Sequence, residues 1–276
     1  MAFIIDKDGN YIPVLGVVSG GGGGTSDHSQ LTNLDYASSG HTGFLSSANY
    51  LPRGTTIDVK LDGSGDFTNL VDAFNFLTDK WSDANIIFNL GAGTFEVSET
   101  LHITTFRCNV PRIDIVGVST TDTIIDHKIS SQWTPLFNIN NNGHTRIRNL
   151  KITGPCTKTS GGYTGVSIGK FSMCEFANVV TDGLDRVIET SMGGNALVNG
   201  SMTISNCPDA LFAKTGTIVV YGSAVSFSNV TTAFSVNGGG IIQKFEGSTS
   251  YSSVTNIANV TANTISSNGI IMGSFN

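Results

Sequence analysis

Two aspartates set the sharpest chemical possibility in this chain of 276 residues. Asp182 lies four residues after Asn178, and Asp209 lies three after Asn206. Both asparagines belong to a recurring tetrad, described below. If successive copies stack, with one residue inserted, the two carboxylates stand one turn apart. That is about 5 Å, the separation of acid and nucleophile in a retaining glycosidase. Asp185, Arg186 and Glu189 are close enough in sequence to supply a proton donor or a substrate clamp. The same residues have a plainer reading. An Asp after a sharp corner is an ordinary turn former, and Asp185, Arg186 and Glu189 can form a solvated ion network. The plainer reading is preferred, so no catalytic pair is assigned and the chain leans away from an enzyme.

Other residues could bind without cutting. Trp133, beside Gln132, falls in a polar stretch where a core residue is not expected, and Tyr163 sits in a Gly-rich excursion. Each offers a flat apolar ring to a sugar, although Trp133 is read first as packing on a neighbouring subunit. His28 and His41, 13 residues apart, would hold a metal only if neutral imidazoles converged at about 2.1 Å. A linker role is preferred, and neither a metal nor a cofactor is expected. No Ser/His/Asp order, H-E-x-x-H or EF-hand loop occurs.

The elements that must position these residues announce themselves by repetition. An apolar residue, a spacer, Asn (once Ser) and a small or apolar residue recur as Ile147-Arg148-Asn149-Leu150, Phe176-Ala177-Asn178-Val179, Ile204-Ser205-Asn206-Cys207, Phe227-Ser228-Asn229-Val230 and Tyr251-Ser252-Ser253-Val254. Successive copies start 29, 28, 23 and 24 residues apart, the signature of a repeat architecture. Apolar residues around them alternate with period two, as in Ala224-Val225-Ser226-Phe227-Ser228, and no 3.6-residue stripe appears after residue 85. The pattern predicts a mostly β chain coiled into a right-handed parallel β-helix. Asn tolerates the left-handed backbone that a coil corner imposes. Asn149, Asn178, Asn206 and Asn229 would then stack as a hydrogen-bonded ladder. Ile147, Phe176, Ile204, Phe227 and Tyr251 would form one apolar column inside, and Tyr221 would pack as well.

Composition bounds the partners. Hydrophobic side chains make up 39 % and charged ones 13 %, Gly numbers 33, and the net charge is −6. A sizeable core is affordable, whereas nucleic acid and anionic membrane are poor partners for an acidic chain with no basic run. No apolar window is long enough to span a bilayer, and residues 1–18 lack the cationic start and apolar core of a signal peptide. The four cysteines, Cys108, Cys156, Cys174 and Cys207, are widely spaced and read as reduced, structural thiols of a protein made in the cytoplasm.

In chain order, residues 1–25 hold two β-like runs around Asp8-Gly9-Asn10 and then five glycines, Gly20 to Gly24, which form a hinge. Residues 26–54 follow as a linker. Its words Asp27-His28-Ser29-Gln30-Leu31-Thr32-Asn33-Leu34-Asp35-Tyr36 and Ser39-Gly40-His41-Thr42-Gly43-Phe44 resemble a segment near the N-terminus of many bacteriophage tail-fibre and baseplate-associated proteins. The β-helix occupies 55–276. Its strand at Thr56 to Leu61, the turn Asp62-Gly63-Ser64-Gly65-Asp66-Phe67-Thr68 and a helix over 68–81 resemble the opening of pectin-lyase-like domains. The helix carries the stripe Leu70, Ala73, Phe74, Leu77 and Trp81 and is N-capped by Asp66 or Thr68; the resemblance implies that it plugs the first coil. Gly143-His144 with Arg146-Ile147-Arg148 echoes words of polygalacturonases, but there the words lie on separate coils, and the accompanying carboxylate motifs are missing here.

The resemblances imply a phage virion protein of the tail-fibre or baseplate class, located in the tail. Its N-terminus would bind other tail proteins, and its β-helix, as a homotrimer, would meet bacterial surface polysaccharide. A polysaccharide depolymerase using Asp182 and Asp209, and a connector with no ligand, are the alternatives.

Overall fold

The structure is a computed structural model that describes residues 3–5, 11–13, 50–52, 54–78, 80, 82, 84–103, 112–131, 134–140, 144–156, 162–221, 224–245, 249–259, 265–266 and 269–273. The chain divides into two compact units, Met1–Ser46 and Ser47–Asn276. In the first, strands Phe3–Ile5 and Tyr11–Pro13 pair antiparallel, Ile4 opposite Ile12. The linker words and both candidate metal ligands, His28 and His41, lie outside the described residues.

The second unit is a parallel β-helix with three faces. On the first face Thr56–Val59, Ile86–Leu90 and Ile113–Val116 pair in turn. Residues 145–148 follow, then 173–176, then Asn195–Val198 and Thr217–Val220. The second face runs from Gly93–Val97 through Thr123–His127 to residues 249–252. The third runs from Leu101–Ile103 through Pro135–Ile139, Thr164–Ile168 and Arg186–Thr190 to residues 254–258. Among the described residues of this unit, apart from the short antiparallel pairing of Ile265–Ser266 with Gly269–Met272, every pairing is parallel. Alternation sends every second side chain inward, which is why the strands read with period two.

The corners are where the tetrads matter. Asn149, Asn178, Asn206, Asn229 and Ser253 all hold φ between 53° and 56°. That left-handed backbone costs an ordinary L-residue roughly 1–2 kcal/mol, and Asn is among the few that visit it routinely. The tetrads do not all mark one corner. Asn149 and Asn178 bend the chain from first face to second within His144–Thr153 and Met173–Asp182. Asn206, Asn229 and Ser253 bend it from second to third within Met202–Ala213, Val225–Val236 and Thr249–Ala258. The 28-residue step between the second and third copies is therefore not one coil. Phe176 stands opposite Val198, 22 residues on, and Ile204 comes six residues after that.

The expected single column consequently splits in two. Phe88, Ile115, Ile147, Phe176, Val198 and Val220 stack behind the first face. Ile125, Ile152, Thr181, Ile204, Phe227 and Tyr251 stack behind the second. Tyr251 is half-buried with its ring stacked on Phe227, 5.6 Å between centroids and 7° between planes. Burial pushes its hydroxyl up to about 12. Tyr221, expected to pack, is 56 % exposed because it follows the last inward residue of its strand.

The ladder splits with the corners. Asn178 Nδ2 donates to Asn149 Oδ1 at 3.1 Å, and Asn229 Nδ2 donates to Asn206 Oδ1 at 2.7 Å. Asn206 Nδ2 donates not to Asn178 but to Asp182 Oδ1 at 2.6 Å.

The plug is shorter than the sequence suggests. The helix spans Leu70–Phe76 and is N-capped by Asn69, whose side chain accepts from Asp72 N. Asp66 instead accepts from Asp58 N at 2.9 Å, tying the turn to the first strand. Leu77, Thr78 and Lys80 donate three residues back rather than four, a tightening that ends the helix. Leu70, Ala73, Phe74 and Leu77 are buried as expected, and Trp81 lies outside the described residues. Phe74 stacks on Phe88 at 4.5 Å and reaches within 6.1 Å of Phe137, so the helix covers inward columns of two faces. No helix among the described residues is long and apolar enough to cross a membrane.

Asn206→Ala should lower unfolding free energy by about 2 kcal/mol, combining left-handed strain with lost ladder bonds. Asn206→Gly, free of the strain, should lose about 1 kcal/mol. Urea unfolding compares them, and equal losses would contradict the corner argument.

Candidate carbohydrate-binding face

The two aspartates singled out by spacing do not become register partners. Asp182 ends a second-face strand opposite Ser205, whereas Asp209 opens a third-face strand opposite Arg186. Asp182 is the terminal acceptor of the second ladder. Its Oδ1 takes bonds from Asn206 Nδ2 and from Ser205 Oγ at 3.0 Å, and its Oδ2 faces Lys151 Nζ at 3.3 Å. Burial works against its charge, but the bonds from Asn206, Ser205 and Lys151 outweigh it and hold the carboxyl below the usual range. A carboxylate engaged in this way is a poor proton donor.

The third face gathers the other polar candidates through a bend shared by its strands. Strand pairing skips a shared position on each coil, at Leu136, Gly165, Val187, Ala210 and Ala233. Beyond the skip, alternation shifts by one, so residues three apart share the outward side. Two outward columns result. Thr164, Arg186, Asp209 and Thr232 are register partners in one, and Ser167, Glu189, Phe212 and Ser235 in the other.

Arg186 is the centre of this surface. Its Nη1 donates to Glu189 Oε2 at 2.8 Å and its Nη2 to Asp209 Oδ2 at 3.3 Å. The guanidinium carbon lies 3.8 Å from the centroid of the Phe212 ring. With 7 % of its side chain exposed, Arg186 is not part of a solvated network. Planar, weakly hydrated guanidinium suits such a stacked and forked position, and Lys would not replace it. A cavity of about 300 Å³ opens here, lined by Pro135, Thr164, Ser167, Arg186, Glu189, Phe212, Lys214 and Asn237. It falls at the small end of ligand pockets, roughly 300–1,000 Å³. Hydroxyl, amide, ammonium and aromatic groups in one groove suit a sugar, which shows both hydroxyls and an apolar ring face. Glu189 and Asp209 each spend an oxygen on the same guanidinium, so they meet a ligand as fixed acceptors.

Asp185 does not join this network. It is fully buried, its Oδ2 accepting from Tyr163 N at 3.0 Å and its Oδ1 facing Cys156 Sγ at 3.5 Å. The Tyr163 carbonyl accepts from Asp185 N and Arg186 N. The Tyr163 ring meets His127 edge-on at 5.5 Å. Tyr163 is therefore partly committed to holding its own loop. His127 is fully buried, and burial pushes its pKa down despite the Thr134 carbonyl 3.2 Å from Nε2. Trp133 lies outside the described residues. Cys156, Cys174 and Cys207 are in no disulfide, and burial pushes the Cys174 and Cys207 thiols well up, away from thiolate chemistry. Among the described residues no group of three or more His, Cys, Asp or Glu is placed to hold a metal.

Sequence spacing missed Phe212, Lys214 and the hydroxyl-bearing partners of Arg186, because only the bend brings them together. It also missed a first-face ion column. There Asp114, Arg146 and Glu175 are register partners on successive coils. Single charged residues between inward-facing ones, Ile113-Asp114-Ile115 and Cys174-Glu175-Phe176, were the available signal.

Because the folded-state pKa of Asp182 is depressed, its stabilising contribution is present above the ordinary value of 3.8 and is lost as pH falls through the folded value. Asp182→Asn should therefore destabilise at pH 7 and approach the parent as pH falls through the depressed folded value. Unfolding free energies across pH test this, and a pH-independent gap would remove the charge argument. Arg186→Met should cost about 3 kcal/mol by leaving two half-buried carboxylates beside each other.

The chain matches no protein-family model and no curated protein. Among solved structures it is similar to a pectin methylesterase from carrot, with 13 % sequence identity and a TM-score of 0.46, over 80 % of this chain and 89 % of that one. This likeness assigns no activity to the chain.

Proposed function

We propose that the chain is a virion protein of the phage tail-fibre or baseplate class, whose β-helix recognises a bacterial surface glycan as a homotrimer. The linker words between Asp27 and Phe44 support the virion assignment by their resemblance to tail proteins. The hairpin ahead of them in sequence suits attachment to another tail protein. The observation that carries recognition over cleavage is the engagement of the carboxylates. Asp182 ends an amide ladder, and Asp209 and Glu189 clamp one guanidinium, so the spacing-derived acid and nucleophile have other work. The groove beside them offers bonding groups and an aromatic ring at fixed positions on a stiff sheet. Such contacts are individually weak, and three copies on one fibre make them strong through effective concentration.

Light scattering of the purified protein should give a mass roughly three times the 29.0 kDa chain. It should adsorb to host cells and leave their envelope polysaccharide at full length. Lys214→Ala with Asn237→Ala should weaken adsorption about tenfold. Oligosaccharide release by the parent, lost in Asp182→Asn with Asp209→Asn, would overturn recognition in favour of cleavage. A folded protein that adsorbs to no host cell would make it a connector.

A further inference from the structure

The geometry points to a second recognition strip, along the first face, built for a linear polysaccharide that bears carboxylates. This rests on the reading of the β-helix as a glycan-recognising domain, and names the glycan class.

The strip begins as an ion column with excess positive charge. Asp114, its side chain 3 % exposed, has Arg112 Nε 2.8 Å from Oδ1, and Arg112 Nη2 donates to Oδ2 at 3.1 Å. Arg146 Nε lies 3.3 Å from Glu175 Oε2 and 3.9 Å from Asp114 Oδ1. Arg148, two residues along the same strand, has its Nε buried with no hydrogen-bond partner. His144 approaches Glu175 at 3.5 Å. Burial holds its pKa down, and Arg112 and Arg146 push the same way against Glu175 and Asp114, so it adds no charge near neutrality. Three permanent cations thus share this stretch with two carboxylates, which engage Arg112 and Arg146 and leave Arg148 on the adjacent column, in a chain whose net charge is −6. Guanidinium groups that keep donors to spare are suited to bidentate capture of a carboxylate.

The ion column itself runs on through Leu197 and Val219, and the outward column beside it, two residues along each strand, turns aromatic. Glu175 Oε1 accepts from Asn199 Nδ2 at 3.3 Å. Asn199, Tyr221 and Phe245 occupy the same position on successive coils, since each backbone N–H donates to the first-face strand one coil back, at Phe176, Val198 and Val220. Tyr221 and Phe245 are 56 % and 50 % exposed, with ring centroids 5.8 Å apart at 65°. Coils repeat at about 4.8 Å, so Arg148, Ala177, Asn199, Tyr221 and Phe245 form one line parallel to the helix axis, beside the ion column. Cations at one end select an acidic chain, and exposed rings at the other cover the apolar faces of its sugars. A neutral polymer would use only the rings. An anionic lipid surface has no use for a line of evenly spaced groups.

The full-length protein titrated calorimetrically with hyaluronan oligomers, oligosialate and dextran tests the strip. At least one of the acidic probes should bind at least tenfold more tightly than dextran and weaken as salt rises. Tyr221→Ala with Phe245→Ala, which alters two exposed side chains, should weaken that binding about tenfold with an unchanged melting temperature. Arg148→Gln should weaken it and flatten its salt dependence. Failure of both acidic probes, affinity equal to dextran's, or binding indifferent to the aromatic pair would overturn the strip. A lower mass for the double variant than for the parent would also overturn it, by assigning the rings to contact between copies. Host-cell adsorption measured in parallel separates the two readings. If the parent adsorbs while the acidic probes fail, only the strip falls; if the parent does not adsorb, glycan recognition itself falls.

Discussion

The constraint on which this structure depends is that a left-handed corner must stack on another corner. A parallel coil bends where one residue takes positive φ, and the peptide groups on both sides of it pair with the coils above and below. Displacing one corner would break the pairing of its neighbours. At the second-to-third corner the requirement is met by Gly183, Asn206, Asn229 and Ser253 in succession. Asn is the useful choice because the residue that tolerates the bend also carries an amide able to bond to the next copy. Where glycine takes the corner that amide is missing, and the residue before it, Asp182, becomes the acceptor. The carboxylate is there because the ladder has to end on something.

This explains both what the sequence made legible and what it did not. Asn tolerating the left-handed region is a local property, so every tetrad proved to be a corner. Which corner is a tertiary property, set by how many residues each coil spends on each face, and a tetrad carries no trace of it. The tetrads at Phe176 and Ile204 look alike, yet one closes the first face and the other the second. The pairing inferred for Asp182 and Asp209 assumed a constant corner and failed with that assumption. The helix followed the same logic. Its apolar stripe was legible through Leu77, but Asn69 competed with Asp66 and Thr68 for the cap and won because Asp66 was engaged by Asp58 N.

The candidate site was legible only as separate residues. Arg186 and Glu189, three apart, should lie on opposite sides of a regular strand. They share a side because the third face skips a position at Val187, and every stacked strand repeats the skip. A bend inherited from coil to coil leaves a weak sequence signal, since the skipped residues, Leu136, Gly165, Val187, Ala210 and Ala233, are apolar or glycine like the core around them. Once the bend is known, the outward columns follow by counting, and Phe212 falls where Arg186 can lie across it.

Stacking also sets the electrostatics. Side chains in one outward column are separated by only one coil spacing, so like charges in succession repel strongly, and opposite charges in succession satisfy one another. Asp114, Arg146 and Glu175 obey this rule on the first face, and Arg186 with Asp209 on the third. A β-helix with few charged residues therefore tends to spend its carboxylates on neighbouring cations. A catalytic pair would need two adjacent carboxylates left without such a neighbour, held together against their mutual repulsion. The carboxylates at Asp182, Glu189 and Asp209 are engaged instead, by Lys151 and amides at the first and by Arg186 at the other two. What their columns leave facing outward is a set of bonding groups held at fixed positions by the stacked strands.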